Sequence, residues 1–280
     1  MRLVSGGAEL VCNPQLGGTI VSWKVDGVSL FRPVTTEADT VRGQGCYPLV
    51  PFSNRVAGRA FHFAGQRYEL PDLMNGYAIH GAAWQLPWRQ DGASMKVDYP
   101  GGALWPFAFA AEQRFALSDR ALEVTMRVTN RHDRPAPLAL GLHPYFPRTP
   151  EMTLQFAATS VWLNGEGMIP TANVQVPSEW DFTTPRRPGE VYADNCFAGW
   201  HRSAVVTWPE HRTALTITAD KLYRHAVVYL PRNAAFFALE PVSNMNDGLN
   251  RMDQHVDHGM AVLAPGDTLE GVIRFAVTVL

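Results

Sequence analysis

Leu122-Glu123-Val124-Thr125-Met126-Arg127-Val128-Thr129 decides the fold class of this chain. Apolar and polar residues alternate without a break, the pattern of a strand with one buried and one wet face. Ser118-Asp119-Arg120 just before it offers a turn back to a preceding strand around Arg114 to Leu117. The same grammar recurs elsewhere. Val21-Ser22-Trp23-Lys24-Val25 and Val28-Ser29-Leu30-Phe31 flank Asp26-Gly27, a pair suited to the positive φ angles of a two-residue hairpin turn. A further hairpin is expected around Ala64-Gly65-Gln66, and another joins Ala204 to Trp208 with Leu215 to Ile217 across Pro209-Glu210-His211-Arg212. Ala226 to Leu230, Ala235 to Glu240 and Leu269 to Val279 also read as strands. No long helical periodicity competes with them, and 23 glycines and 21 prolines punctuate the short runs. The fold class is therefore all-β, a large antiparallel β-sandwich. No repeat, low-complexity tract or composition break divides residues 1–280, so one domain is expected, with the Pro-rich stretch Val176 to Gly189 as a loop inside it.

Apolar residues make up 46% of the 280 positions, enough for a sizeable core, and 18% are charged. A formal net charge of -2 creates no field that would draw in nucleic acid or a membrane surface. Cys12, Cys46 and Cys196 are odd in number and far apart, so neither a zinc knuckle nor a redox pair is indicated. The N-terminus lacks a continuous apolar segment, and no run approaches the ~18–20 apolar residues of a membrane-spanning helix. A cytoplasmic protein acting on a small polar or neutral partner is the expectation; oligomeric state is not legible.

Gly141-Leu142-His143-Pro144-Tyr145-Phe146 is the stretch with the strongest chemical signal. An apolar run from Ala136 leads to a histidine, the commonest proton carrier near neutral pH. Proline holds the preceding residue extended, so His143 is expected at a strand end, with two aromatics beyond it to wall a pocket. Glu240 repeats the arrangement: it follows Ala235-Phe236-Phe237-Ala238-Leu239 and precedes Pro241. A carboxylate in such a place is costly to bury without partners, and burial would make it a stronger base. Arg55, His80 and Asp194 are further candidates, His80 because the small Gly81 beside it leaves room for a ligand. Taken singly, each also fits a structural role: a strand-end glutamate in solvent, a surface arginine, an Asp-Asn turn, a satisfied buried histidine.

Together they resemble the aldose 1-epimerase (galactose mutarotase) family. The resemblance is carried by Asn54-Arg55 with Gly58 and Phe61, Ile79-His80-Gly81, Trp105-Pro106-Phe107 and Val128-Thr129-Asn130. It continues through Pro137 to Phe146, Asp194-Asn195-Cys196-Phe197 and Leu239-Glu240-Pro241. It implies a galactose mutarotase-like β-sandwich whose open face binds a free sugar, with no cofactor. It also implies Glu240 as general base, His143 as general acid, and His80, Arg55 and Asp194 as ligands to the sugar oxygens. Ala82, where the family often has a second glycine, and Asn195, at a variable position, are expected to adjust which sugar fits.

The chemistry agrees independently. An aldose ring opens when the anomeric hydroxyl loses a proton and the ring oxygen gains one, so one acid and one base suffice. A histidine of pKa ~6.5 is about a quarter protonated at pH 7, and a neighbouring carboxylate raising it by ~1 unit would make it about three-quarters protonated. Three other readings compete. A sugar-binding or sensing module would keep Arg55, His80 and Asp194 but have no need of Glu240 and a titrating His143. A metal site from His80, His143 and Glu240 lacks compact ligand spacing, and His255-Val256-Asp257-His258 is no better. A hexose-6-phosphate mutarotase would want converging cations, for which Arg55 and Arg59 are candidates. Selectivity is expected to lie in loops such as Asn164 to Arg187.

Overall fold

The expected alternation builds two large antiparallel sheets, seen in a computed structural model that describes residues 1–34 and 39–280. One sheet has eight strands, in which Phe109–Ser118, Ala121–Asn130, Thr268–Val279 and Thr213–Ala219 lie side by side. Leu122, Val124, Met126 and Val128 are fully buried on its inner face. Its outer face carries a cross-strand ladder of charge: Lys96 opposite Glu112, Glu112 opposite Arg127, Arg127 opposite Glu270. That wet face is why these strands read as strict alternation.

The other sheet has eleven strands, with Cys46–Leu49, Gly141–Pro147, Phe236–Val242, His225–Leu230 and Ala193–Ala198 adjacent in that order at its middle. These strands are covered on both faces. Leu142, Phe146, Phe237, Leu239, Ala226, Val228 and Phe197 join the core shared with the smaller sheet. Tyr145, Ala238, Val227 and Cys196 join a second apolar cluster on the opposite face. Double burial explains why Gly141 to Phe146 reads as a nearly unbroken apolar run instead of an alternation.

All the expected hairpins form. Asp26 and Gly27 have φ of 49° and 81°, and Ala64 and Gly65 have 50° and 77°, as a type I′ turn requires. Pro209–His211 makes a short 3₁₀ turn between Ser203–Trp208 and Thr213–Ala219. Among the described residues no α-helix occurs, and no helix is long and apolar enough to cross a membrane.

Two local expectations change. Pro144 and Pro241 do not end their strands; both lie inside central strands of the large sheet, so His143 and Glu240 are mid-strand residues. Of the two aromatics after Pro144, only Tyr145 shares the face of His143. Phe146, one position on, points into the core against Phe31 and Phe237, as the two-residue period of a strand demands.

Phe275 ties the sheets together. It comes from the smaller sheet and meets Phe31 at 5.3 Å, Trp23 at 6.0 Å and Phe146 of the His143 strand at 6.5 Å between ring centroids. Truncating a large buried ring typically costs ~3–5 kcal/mol. Phe275→Ala is therefore expected to lower the unfolding free energy by that amount, read as a lower urea midpoint at an unchanged denaturant slope; a loss under about 1 kcal/mol would show that Phe275 does not clamp the sheets.

Candidate active site

Register brings the two strongest sequence candidates together. Gly141 pairs with Val242 and Tyr145 with Ala238, so His143 stands opposite Glu240, and facing residues of neighbouring strands project to the same side. Nε2 of His143 lies 3.1 Å from Oε1 of Glu240, with their side chains 6% and 3% exposed. The row extends both ways: Tyr47 is opposite His143 and Val227 opposite Glu240. The Tyr47 ring stacks on that of His143 at 4.6 Å, and Tyr145 leans on it from 4.4 Å.

Arg55 and Asp194 face each other at 3.8 Å, both mostly covered. Asp194 comes from the strand two away from Glu240. Arg55 comes from a short strand, Arg55–Val56, paired with Ala78–Ile79. His80 follows directly, and its setting is unusual. Asn54 and His80 both have positive φ, 59° and 62°, a conformation uncommon outside glycine. They brace each other: the His80 backbone N–H donates to the Asn54 carbonyl at 3.0 Å, and the Asn54 N–H donates to His80 Nδ1 at 3.1 Å. An accepting Nδ1 leaves the proton on Nε2, so His80 offers a donor to a ligand. Gly81 serves a different purpose from the one expected of it. With φ +72°, a Cβ there would come within 2.2 Å of the Val50 carbonyl oxygen, so its smallness makes room for the protein's own backbone.

All five sequence candidates thus line one cavity of about 250 Å³. That is below the roughly 300–1,000 Å³ of drug-sized pockets, a size for a small polar molecule. Arg42, Tyr47, Met74 and Tyr229 also line it; sequence reasoning missed them. Tyr47 sits in a short strand between Cys46 and Pro48, and Arg42 in an ordinary polar turn, so neither carried a local signal. Ala82 and Asn195 do not line the cavity. Ala82 is buried, and the Asn195 amide donates to the Trp162 carbonyl at 2.8 Å, pinning two strands. The region from Asn164 to Arg187, expected to hold selectivity loops, includes a strand, Pro170–Val174, and supplies no cavity wall.

Burial governs the charge states. It pushes Glu240 well above the usual carboxylate range, helped by Asp194 and opposed by Arg55. It pulls His143 well below the ordinary histidine value, with His80, Arg32 and Arg42 adding to the effect. The expectation that a neighbouring carboxylate raises His143 is therefore not met: loss of water outweighs the attraction, and burial pushes the pair toward a neutral imidazole beside a protonated carboxyl. Oε2 of Glu240 and Nδ1 of His143 are buried without a protein partner, a condition characteristic of reactive groups. Asp194 is also raised by burial, against the pull of Arg55. His80 is lowered to about 3 by burial, then by Arg55 and Arg42.

Two large antiparallel sheets thus carry a contacting His–Glu pair at the floor of a small cavity lined by polar side chains. The aldose 1-epimerase family model matches residues 2–276, and the chain belongs to that family. It is 29% identical over 269 residues, 90% of each chain, to the uncharacterised protein YphB of Escherichia coli K12. A crystal structure of a candidate aldose 1-epimerase from Escherichia coli K12 superposes with a TM-score of 0.90 at 28% identity, covering 100% of this chain and 98% of that one. A galactose mutarotase-like protein from Clostridium acetobutylicum shares the fold, with a TM-score of 0.85 at 20% identity and 100% and 95% coverage. Family membership implies a sugar substrate and mutarotase-like activity.

The buried histidines make stability depend on pH. The unfolded chain binds a proton at His80 below ~6.5, whereas the native chain does so only near 3. Stability is therefore lost as pH falls through that window, by up to ~1.4 kcal/mol per unit. His143 and His225 act in the same sense, and the raised Glu240 and Asp194 in the opposite one. His80→Gln leaves those other groups in place, so its unfolding free energy should fall less steeply between pH 6.5 and 4.5 than that of wild type. Equal slopes in urea titrations would show that His80 is not held neutral by the fold.

Proposed function

We propose that this protein is an aldose 1-epimerase that interconverts the α and β anomers of an aldose, with Glu240 and His143 as the catalytic pair. The observation that carries the proposal is their 3.1 Å contact at the buried floor of the cavity, where Oε2 of Glu240 has no protein partner. Arg55, Asp194 and the Nε2–H of His80 surround that floor and supply donors and an acceptor for sugar hydroxyls and the ring oxygen.

The pair needs only one proton. With that proton on His143, Glu240 takes the proton of the anomeric hydroxyl from O1 while His143 Nε2 donates to the ring oxygen. The C1–O5 bond breaks and C1=O1 forms. The site now holds neutral His143 and protonated Glu240, the state that burial favours. Rotation about C1–C2 presents the other face of the aldehyde. His143 then takes the proton from the C5 hydroxyl, Glu240 returns its own to O1, and the ring closes as the other anomer. No proton leaves the cavity, and each transfer by a placed group is worth ~10²–10⁴-fold. A module that only binds sugar would have no use for a titratable pair whose burial is costly.

Polarimetry on freshly dissolved α-D-galactose and α-D-glucose tests the reading. Wild type should speed the change in rotation. Glu240→Gln, which keeps the shape but removes the base, should slow kcat by ~10²-fold or more while sugar still shifts its melting temperature. His143→Ala should lose a similar factor. Wild type that accelerates the rotation change of no aldose, or a Glu240→Gln variant as fast as wild type, overturns the assignment.

A further inference from the structure

The cations of the cavity are unequally matched. Arg55 faces Asp194. Arg42 also lines the cavity, yet among the described residues no carboxylate lies within ion-pair distance of it. The remaining acid in the lining, Glu240, sits at the floor against His143. With Glu240 held toward its neutral form by burial, the lining keeps one positive charge, on Arg42, that no carboxylate among the described residues answers.

Arg42 is also held in place. It lies in a 3₁₀ turn, Val41–Gly43, capped by Thr40, whose hydroxyl accepts from the Gly43 N–H at 3.1 Å. Below the turn, the buried guanidinium of Arg32 donates to the carbonyls of Arg42 and Gln44. The Arg42 side chain rests by Nη1 on Met74 Sδ at 2.9 Å. Thioether sulfur is a weak acceptor, so the other donors of the fork remain open to a ligand. Arg42 is solvent-exposed and Glu240 is almost fully buried, so one molecule can span mouth and floor.

We propose that the substrate is an aldose bearing a carboxylate, a hexuronic acid, and that Arg42 is the specificity-determining residue that grips this group while the anomeric carbon lies at His143 and Glu240. A planar carboxylate suits a single guanidinium fork. A phosphate dianion would call for a second open cation, and Arg59, the sequence candidate for that role, lies 3.9 Å from Asp72 and is not part of the cavity wall. This inference rests on the mutarotase reading of the same site.

The test compares mutarotation rates on D-galacturonate, D-glucuronate, D-galactose, D-glucose and D-glucose 6-phosphate for wild type, Arg42→Gln and Arg42→Lys. For wild type at low salt, kcat/KM on a uronate should exceed that on the matching hexose at least tenfold, mainly through KM, and the gap should narrow as salt rises. Arg42→Gln should cut the uronate-to-hexose ratio about tenfold, and Arg42→Lys should restore part of it. A hexose handled as well as its uronate, or a ratio unmoved by Arg42→Gln, overturns the substrate class while leaving the mutarotase reading intact. Preference for the 6-phosphate overturns the carboxylate assignment alone. Turnover of none of the five by wild type overturns both.

Discussion

Everything in the site depends on one register. Gly141 opposite Val242 and Tyr145 opposite Ala238 force His143 and Glu240 to face each other from neighbouring strands. A slip of one residue would turn one side chain into the core. The prolines beside them reinforce the arrangement at a cost. Pro144 and Pro241 each lack the N–H that a central strand ordinarily uses; Pro144 pairs with Cys46 and Pro241 with Ala226. Because His143 and Glu240 stand on the middle strands of an eleven-stranded sheet packed on a second sheet, their separation is set by neighbouring strands and not by a loop. A group placed this way needs little reorganisation when the reaction moves charge.

The same placement explains why burial pushes both members of the pair toward their neutral forms. Both faces of these strands are covered, so His143 and Glu240 see apolar neighbours and aromatic rings more than water. Proximity of opposite charges would favour the ionised pair, but in a dry site desolvation of two groups outweighs one contact. The buried cation Arg32 strengthens this bias. It lies 3.7 Å from the centre of the Tyr145 ring and 4.4 Å from that of Phe236, and disfavours a charged imidazole at His143.

How much was legible in the sequence follows from which forces act locally. Alternation from Leu122 to Val128 and the turn pairs Asp26-Gly27 and Ala64-Gly65 express strand geometry and positive φ, both local, and each appears in the structure. The five candidate site residues also meet, lining one cavity. What was not legible is what depends on distant neighbours. The lowered pKa of His143 arises from burial under segments far away in sequence, so a reading from the carboxylate alone predicted the wrong sign. Gly81 looked like space for a ligand because nothing nearby announces the Val50 carbonyl. Two family motifs turn out to be scaffold. Trp105 stacks on Phe61 in the core, and the Asn130 amide donates to the carbonyls of Arg134 and Leu263, closing the end of a strand.

Floor and rim of the cavity answer to different constraints. The floor is sheet: Tyr47, His143 and Glu240 stand in one cross-strand row. The rim is turn. Arg42 sits on a single 3₁₀ turn, and residues 72–77 form a small turn closed by the Met74–Tyr77 bridge. Turns tolerate substitution without repacking a sheet. The rim can therefore vary in sequence while the floor keeps its geometry. Arg32 joins the two levels, with its backbone N–H donating to the Tyr145 carbonyl at 2.8 Å and its guanidinium to the carbonyls beneath Arg42. A rim residue anchored so directly to a floor strand is positioned well enough to select by charge, which a freely moving surface arginine is not.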